Sequence, residues 1–196
     1  MPATPTYPDS AASAARTLRE KFAKETHSVT EFRGEATVQL EAAALHAICL
    51  FCRDSLGFDF LIDISSIDHS GESDRWEMVY ELYGLEHHVH LRLKARLAED
   101  APEIDSVVDI WPTADWHERE VYDMMGIRFR NHPDLRRILM WEGYPFFPLR
   151  KEFPLAGKPS EMPDVAFTGI APLAGGPFVT STGGTQVSRE PRARGE

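Results

Sequence analysis

Apolar residues recur at two different spacings along the first half of the chain, and each spacing predicts a different kind of element. In residues 14–25 and again in residues 42–56, apolar positions lie three or four apart, which is the period of a helix with one buried stripe. The second run stops at Gly57, and glycine commonly ends a helix. We therefore predict two helices, separated by a strand-like segment at residues 28–40 with a break at Gly34.

The next segments alternate apolar and polar residues, which is the pattern of a strand with one buried face. In residues 58–65 the apolar face is predicted to consist of Phe58, Phe60, Ile62 and Ile64. In residues 75–97, two alternating runs flank Gly84 and predict a hairpin. The apolar faces of the hairpin are predicted to be Trp76, Met78, Tyr80 and Leu82, and Val89, Leu91, Leu93, Ala95 and Leu97. One further short strand is predicted to end at Pro112.

This mixture of helices and alternating strands predicts an α+β fold, with a mainly antiparallel sheet and helices on one face, followed by an extended irregular C-terminal arm. We expect residues 1–13 to be a flexible N-terminus and residues 14–125 to form the α+β domain. Residues 126–155 hold a polar segment and a proline-rich, aromatic arm. Residues 156–196 are rich in Gly, Pro, Ser and Thr, so we expect an extended tail without a fold of its own.

The net charge of the chain disfavours some classes of binding partner. The 196 residues have a formal net charge of −10, which disfavours nucleic acid and anionic membrane surfaces because both require an excess of Lys and Arg. No stretch approaches the eighteen apolar residues of a spanning helix, and the N-terminus lacks the pattern of a signal peptide. We therefore expect a cytoplasmic protein without direct membrane insertion.

Two small groups of residues invite a metal or redox interpretation. Cys49 and Cys52 form a Cys-x-x-Cys pair, but they share the apolar stripe of the second predicted helix, which favours core packing. His87, His88 and His90 fall on a predicted strand, where only two of them share a face. Basic residues continue that face, so a solvated sheet surface is the favoured interpretation.

Residues 113–139 form the densest polar block of the chain. A helix is predicted to begin at Thr113 or Asp115, with Glu118 at capping-box spacing from Asp115, and to end at Gly126. The ionisable residues of this helix allow three interpretations.

In an enzyme, Glu118 or Glu120 would act as a general base, with His117 or His132 as its partner. Such a protein would be an independent hydrolase or a metalloenzyme. The second interpretation is a helix whose charged side chains are simply solvated.

The third interpretation concerns the arm. Arg119 and Asp123 lie four apart and are placed to pair along the helix surface, and Arg136 and Arg137 directly precede the arm. We expect these carboxylates and guanidiniums to fix the root of the arm through bidentate ion pairs, while the arm itself lies across another protein.

The arm, residues 140–155, holds five aromatic residues and three prolines. Prolines at this spacing exclude a helix and disrupt a central strand, so the segment is predicted to be irregular. An irregular surface segment with so much apolar area is typical of an interface.

The polar block resembles the motif of the thirty-kilodalton subunit family of respiratory complex I, the NADH:quinone oxidoreductase. The matching positions are Glu118, Arg119, Glu120, Asp123, Met124, Met125, His132, Arg136, Arg137, Ile138 and Leu139. Adding the arm, the predicted interface residues are Glu118, Arg119, Glu120, Asp123, His132, Arg136, Arg137, Trp141, Phe146 and Phe147.

The resemblance implies a non-catalytic structural subunit in the peripheral arm of a proton-translocating complex, on the cytoplasmic side of the bacterial inner membrane. It implies no cofactor, catalytic residue or metal in this chain, with iron–sulfur clusters, FMN and quinone in partner subunits. It also implies that the C-terminal arm packs on the neighbouring subunit of the forty-nine-kilodalton type, near other iron–sulfur subunits. The same motif occurs in membrane-bound hydrogenases and F420H2 dehydrogenase complexes, which are the alternative assemblies.

Overall fold

The structure is a computed structural model that describes residues 7–153. The predicted tail, residues 156–196, and the first six residues lie outside this range. The elements in chain order are α1 (Ala11–Lys21), β1 (Thr26–Phe32), β2 (Glu35–Leu40), a 3-10 turn (Ala42–Ala44), α2 (Leu45–Leu56), β3 (Phe60–Asp68), β4 (Trp76–Gly84), β5 (Val89–Leu97), β6 (Glu103–Asp105), α3 (Ala114–Met125) and β7 (Arg128–Arg130).

Five strands form a mixed sheet in the order β1-β2-β5-β4-β3. Three of its four pairings are antiparallel, including the predicted β4–β5 hairpin, and β2 pairs with β5 in parallel. The parallel pairing was not predicted, because it joins segments that are distant in sequence: Val38 of β2 lies opposite Leu93 of β5. Strands β6 and β7 form a separate parallel pair. The predicted α+β class is confirmed.

The apolar faces of β4 and β5 pack against the helices in one core. All nine side chains predicted for these faces are buried. Helix α2 contributes the predicted stripe, in which Cys49 and Cys52 are fully buried as free cysteines. Burial raises the pKa of both thiols, which keeps them protonated, so they act as small apolar side chains.

Strand β3 differs from its predicted pattern. Leu61 and Ile64 are buried at 2% and 3% exposure, whereas Phe60 and Ile62 are 45% and 42% exposed. The reason is a bulge: pairing with β4 shifts register between Leu61 and Asp63, so Ile62 has no partner and the alternation is reset. A strict period of two therefore assigned Phe60 and Ile62 to the wrong side.

Two further local predictions were wrong. Helix α1 begins at Ala11, because the Ser10 side chain caps it by accepting the Ser13 N–H at 3.2 Å, so residues 11–13 are helical. His87 and His88 are not on a strand: both lie in the β4–β5 turn, where His88 has a φ of 55°. His90 is on β5, on the sheet face opposite the core.

Candidate functional site

Helix α3 ends where the arm returns to the domain. Gly126 has a φ of +78° and closes the helix, as predicted. A Cβ at this position would lie 2.5 Å from Nη2 of Arg150 and 2.8 Å from the ring of Phe147, so the glycine is also needed for close packing. At the other end, Thr113 makes no side-chain cap, and Glu118 instead accepts the Val107 N–H at 2.7 Å. The predicted capping box is therefore absent.

Asp123 holds the root of the arm. Its carboxylate is fully buried, and its Oδ2 accepts the backbone N–H groups of Ile138, Leu139 and Met140 at 3.0, 2.7 and 2.8 Å. Its Oδ1 pairs with Nη1 of Arg137 at 2.5 Å. One side chain thus fixes three consecutive peptide groups and one guanidinium. We call the Asp123–Arg137 pair the root clasp.

Burial acts to raise the pKa of Asp123, but the backbone donors and Arg137 outweigh it, so the pKa lies below its ordinary value. The carboxylate is therefore charged and satisfied at neutral pH.

Arg137 connects the root of the arm to its middle. Its Nη1 also donates to the Asp123 carbonyl at 3.0 Å, and its Nη2 donates to the Phe146 carbonyl at 3.2 Å. The guanidinium lies 5.8 and 5.1 Å from the ring centroids of Tyr144 and Phe147. The predicted ion pair at the root is present, although it is not the bidentate side-chain pair that was expected.

Arg119 does not pair with Asp123, in contrast to the prediction. It donates to the carbonyls of Arg136 and Arg137 at 3.3 and 3.5 Å, and it lies 5.4 Å from the ring of Trp116. The four-residue spacing placed the two charges on adjacent turns of the helix, but it did not reveal that each of them binds backbone groups of residues 136–140. Arg119 therefore also supports the root, through backbone oxygens.

The two adjacent arginines have different environments. The Arg137 side chain is 15% exposed, whereas the Arg136 side chain is 70% exposed and pairs with the exposed Asp134 at 2.8 Å. Glu120 is also exposed. Two of the ten predicted interface residues, Arg136 and Glu120, thus lie on the surface away from the root clasp.

A second clasp holds the far end of the described arm. Arg75 makes a bidentate pair with the buried Asp68 at 2.7 and 2.8 Å, and it also pairs with Glu99 and with Glu152. The Lys151 N–H donates to Oδ2 of Asp68 at 2.8 Å. We call the Asp68–Arg75–Glu152 group the far clasp.

Between the clasps, the arm follows the last turn of α3. Leu149 N–H and Arg150 Nε donate to carbonyl oxygens of that turn at 3.1 and 2.7 Å. The Arg150 guanidinium lies between the rings of Trp76 and Phe147, at 4.9 and 4.4 Å from their centroids. The irregular backbone thus obtains partners from its own domain.

The arm is only partly covered by this domain. Tyr144 is buried, and Phe146, Phe147 and Phe153 are half-buried. Three large apolar side chains remain exposed, one at the root and two on the arm: Leu139 at 58%, Trp141 at 44% and Leu149 at 56%. The arm was predicted to lie across another protein; the structure shows that one side of it rests on its own domain.

The four residues proposed for an enzyme do not converge. Glu118 and the side chain of His132 are fully buried, with Oε2 and Nε2 3.9 Å apart. His117 pairs instead with Asp63 at 3.2 Å, and Glu120 is exposed. Within residues 7–153, no group of three or more His, Cys, Asp or Glu side chains is arranged to hold a metal ion.

Sequence reasoning missed the far clasp. Arg75 and Glu152 are separated by 77 positions, and neither belongs to a local motif. The sequence contains one weak signal. Arg75 follows Glu72 and Asp74 in the turn between β3 and β4, and such a turn resembles an ordinary solvated loop.

Two solved structures share the fold of this chain. A chain of the archaeal membrane-bound sulfane sulfur reductase shares the fold with a TM-score of 0.63 at 23% identity, covering 71% of this chain and 83% of that one. A trypsin-resistant fragment of Nqo5 matches with a TM-score of 0.55 at 31% identity, covering 61% of this chain and 97% of the fragment.

Sequence comparison gives the family. Residues 38–159 match the model of the respiratory-chain NADH dehydrogenase 30 kDa subunit. The NADH-quinone oxidoreductase C subunit of Geotalea uraniireducens is 44% identical over 144 residues, covering 74% of this chain and 88% of that protein. One such C subunit of Rhizobium meliloti is 53% identical over 111 residues, 56% of this chain and 60% of that protein. The chain belongs to the family of the 30 kDa subunit of respiratory-chain NADH dehydrogenase, and the resemblance is confirmed.

In the part of the chain that the structure describes, no helix has both the length and the apolar character needed to cross a membrane.

Proposed function

We propose that this chain is a non-catalytic structural subunit in the peripheral arm of a proton-translocating NADH:quinone oxidoreductase, where it supports the quinone-reducing module. Its place would be on the cytoplasmic side of the bacterial inner membrane, attached through the complex. Iron–sulfur clusters, FMN and quinone would belong to partner subunits. The NADH-quinone oxidoreductase relatives from Geotalea and Rhizobium support this assignment.

The observation that carries the proposal is the exposed side of the arm. Leu139, Trp141 and Leu149 are each more than two-fifths exposed, yet the backbone that presents them is held at both ends by buried ion pairs. A loop that served only its own domain would gain nothing from fixing apolar side chains in water. A pre-formed apolar surface instead lowers the entropic cost of binding a partner.

We propose the forty-nine-kilodalton type subunit as the partner that covers this surface. A stable interface of this kind buries on the order of 1,600 Å² in total, more than three side chains supply, so the interface would extend beyond them. Trp116, 63% exposed and in contact with Arg119 at the root, extends the apolar surface along α3.

The alternatives receive less support. The likeness to the sulfane sulfur reductase chain, at 23% identity, concerns the fold alone. An independent hydrolase or metalloenzyme would need His117, Glu118, Glu120 and His132 to face a common point. Glu118 and His132 are buried near one another, but His117 pairs with Asp63 and Glu120 is exposed on the surface.

The experiment compares incorporation of variants into the complex in the native host. Trp141→Ala should lower the fraction of chain that co-purifies with the quinone-reducing module by about tenfold, because an interface tryptophan often contributes more than about 1.4 kcal/mol. Phe32→Ala is the matched control: Phe32 is 67% exposed on β1 and lies outside the residues that match the family model.

Equal incorporation of Trp141→Ala and wild type would contradict the proposed docking surface. Purification of the chain alone tests the non-catalytic assignment separately. Stoichiometric iron or flavin in that preparation, or turnover of NADH with a quinone, would contradict it.

A further inference from the structure

Glu118 of α3 is a buried carboxyl group with one unpartnered oxygen. Its side chain has no exposed surface. Oε1 accepts the Val107 N–H at 2.7 Å, and the Ser106 side chain also hydrogen-bonds to the carboxyl group. The second oxygen, Oε2, is buried and has no hydrogen-bond partner among the residues that the structure describes. A buried polar oxygen without a partner costs free energy, so a donor is expected at this position.

Asp115, one turn earlier on the same helix, presents a second such oxygen. Its Oδ1 is buried and lacks a hydrogen-bond partner within the described part of the chain. Residues three apart on a helix are neighbours on its surface. The unpartnered oxygens of Asp115 and Glu118 therefore belong to adjacent side chains of α3.

His132 lies beside both oxygens and brings a donor to them. Its side chain is fully buried. Its Nδ1 accepts the Asp134 N–H at 3.0 Å, so the ring proton of the neutral imidazole is on Nε2. Nε2 lies 3.4 Å from Oδ1 of Asp115 and 3.9 Å from Oε2 of Glu118. Both distances are too long for a good direct hydrogen bond between nitrogen and oxygen.

These distances fit a water molecule that lies between the three side chains. Two atoms that share one water are about 4 to 5 Å apart, because each hydrogen bond spans about 2.8 Å. The 3.9 Å between Nε2 of His132 and Oε2 of Glu118 is close to this range.

A water also matches the hydrogen-bonding character of the three groups. It has two hydrogens to donate, one to each carboxylate oxygen, and it can accept the Nε2–H of His132, which this group shares with the Asp115 carbonyl at 3.3 Å. Buried waters typically make about three hydrogen bonds to polar groups that are otherwise unsatisfied. One water thus satisfies both oxygens.

A divalent cation fits the same position less well. Mg²⁺ and Ca²⁺ take about six or more oxygen ligands, whereas two unpartnered carboxylate oxygens face this position. The Nε2–H of His132 would direct a positive hydrogen at the ion. Within residues 7–153, moreover, no group of three or more His, Cys, Asp or Glu side chains is arranged to hold a metal.

We propose that Asp115, Glu118 and His132 form an internal binding site for one water molecule, which joins α3 to the segment that follows β7. The water supplies the donor that Glu118 lacks, and this is how the interior accommodates a carboxyl group at this position. The site uses side chains of this chain alone, so it does not rest on the proposed partner subunit.

A crystal structure of the full chain, at a resolution that shows ordered water, is the direct test. A water oxygen should lie about 2.6 to 3.2 Å from Oε2 of Glu118, Oδ1 of Asp115 and Nε2 of His132. A position without ordered water, a direct contact of Oε2 with a protein donor, or a metal ion with oxygen contacts of about 2.0 to 2.6 Å would each overturn the proposal.

Nuclear Overhauser effects from water to the full chain test the site in solution. A water that stays bound for longer than the tumbling time of the protein should give cross-peaks to the ring C–H protons of His132. Glu118→Met, a side chain of similar length without an oxygen, should lose these cross-peaks. Glu120→Met, the same substitution at an exposed position of α3, should keep them.

Glu118→Gln separates bound water from proton exchange. Glutamine keeps a carbonyl oxygen but has no carboxyl proton that could exchange with solvent, so the cross-peaks should remain in this variant. Cross-peaks that are absent from the wild type, that persist in Glu118→Met, or that vanish in a folded Glu118→Gln would contradict the proposal. If Glu118→Met does not fold, the wild-type crystal structure decides.

Discussion

On the side of the arm that faces its own domain, backbone and side-chain polar groups form hydrogen bonds and ion pairs with that domain, whereas the opposite side presents apolar side chains to solvent. Asp123 alone binds three peptide N–H groups and Arg137, and Arg75 binds three carboxylates. On the exposed side, Leu139, Trp141 and Leu149 have no comparable cover. The domain thus fixes the shape of the arm while it leaves one face of it for binding.

The largest effect is expected from removing the acceptor at the root. Asp123→Ala leaves three peptide N–H groups and a guanidinium without their partner, so we expect a loss of about 3 to 5 kcal/mol in the free energy of unfolding. Urea denaturation of the full chain measures it. Glu120→Ala, an exposed carboxylate three positions earlier, is the control and should change stability by less than about 0.5 kcal/mol.

The far clasp should respond in the same way but less strongly. Arg75→Ala leaves the buried Asp68 carboxylate with the Lys151 N–H as its remaining donor among the contacts described, for a loss of about 3 kcal/mol. Limited proteolysis should then cut near residue 150 before it cuts the domain. Arg96→Ala removes a more exposed guanidinium, with a side chain 31% exposed, and should not open this site.

Acid should release both clasps. Hydrogen bonds from Arg75 lower the pKa of Asp68, and the donors around Asp123 lower its pKa in spite of burial. A depressed pKa means that the stabilisation is present above the ordinary aspartate value of about 3.9 and is lost as pH falls through the folded-state value. Protease cleavage within the arm should therefore increase at about pH 3, and an arm equally protected at about pH 3 and about pH 6 would contradict this.

The smallest effect is expected at the neighbour of Arg137. Arg136→Ala removes an exposed pair with Asp134, and such pairs contribute roughly 0 to 1 kcal/mol. Thermal unfolding should place Arg136→Ala close to wild type and far from Arg137→Ala. Similar destabilisation by the two substitutions would mean that the contacts of Arg137 do not hold the root.

The alternation of apolar and polar residues in β4 and β5 was sufficient to predict the hairpin and its buried face. In a regular strand successive side chains point to opposite faces, so an apolar residue at every second position marks the buried face. The bulge at Ile62 was not predictable from the alternation, and this one unpaired residue changes the face of the β3 residues that precede it, Phe60 and Leu61. The sequence of residues 113–139 showed which ionisable residues were present, but it did not show which groups each of them would bind. Glu118 satisfies the spacing of a capping box, yet it is buried against β6 and the following loop, and only tertiary packing decides between these alternatives.

The central claim is that the exposed side of the arm is covered by another subunit, and side-chain footprinting tests it directly. Hydroxyl-radical labelling of Leu139, Trp141 and Leu149 should be strong in the isolated chain and should fall several-fold in the assembled complex. Labelling of Phe32 should be the same in both states. Equal labelling of Leu139, Trp141 and Leu149 in the isolated chain and in the complex would contradict the account.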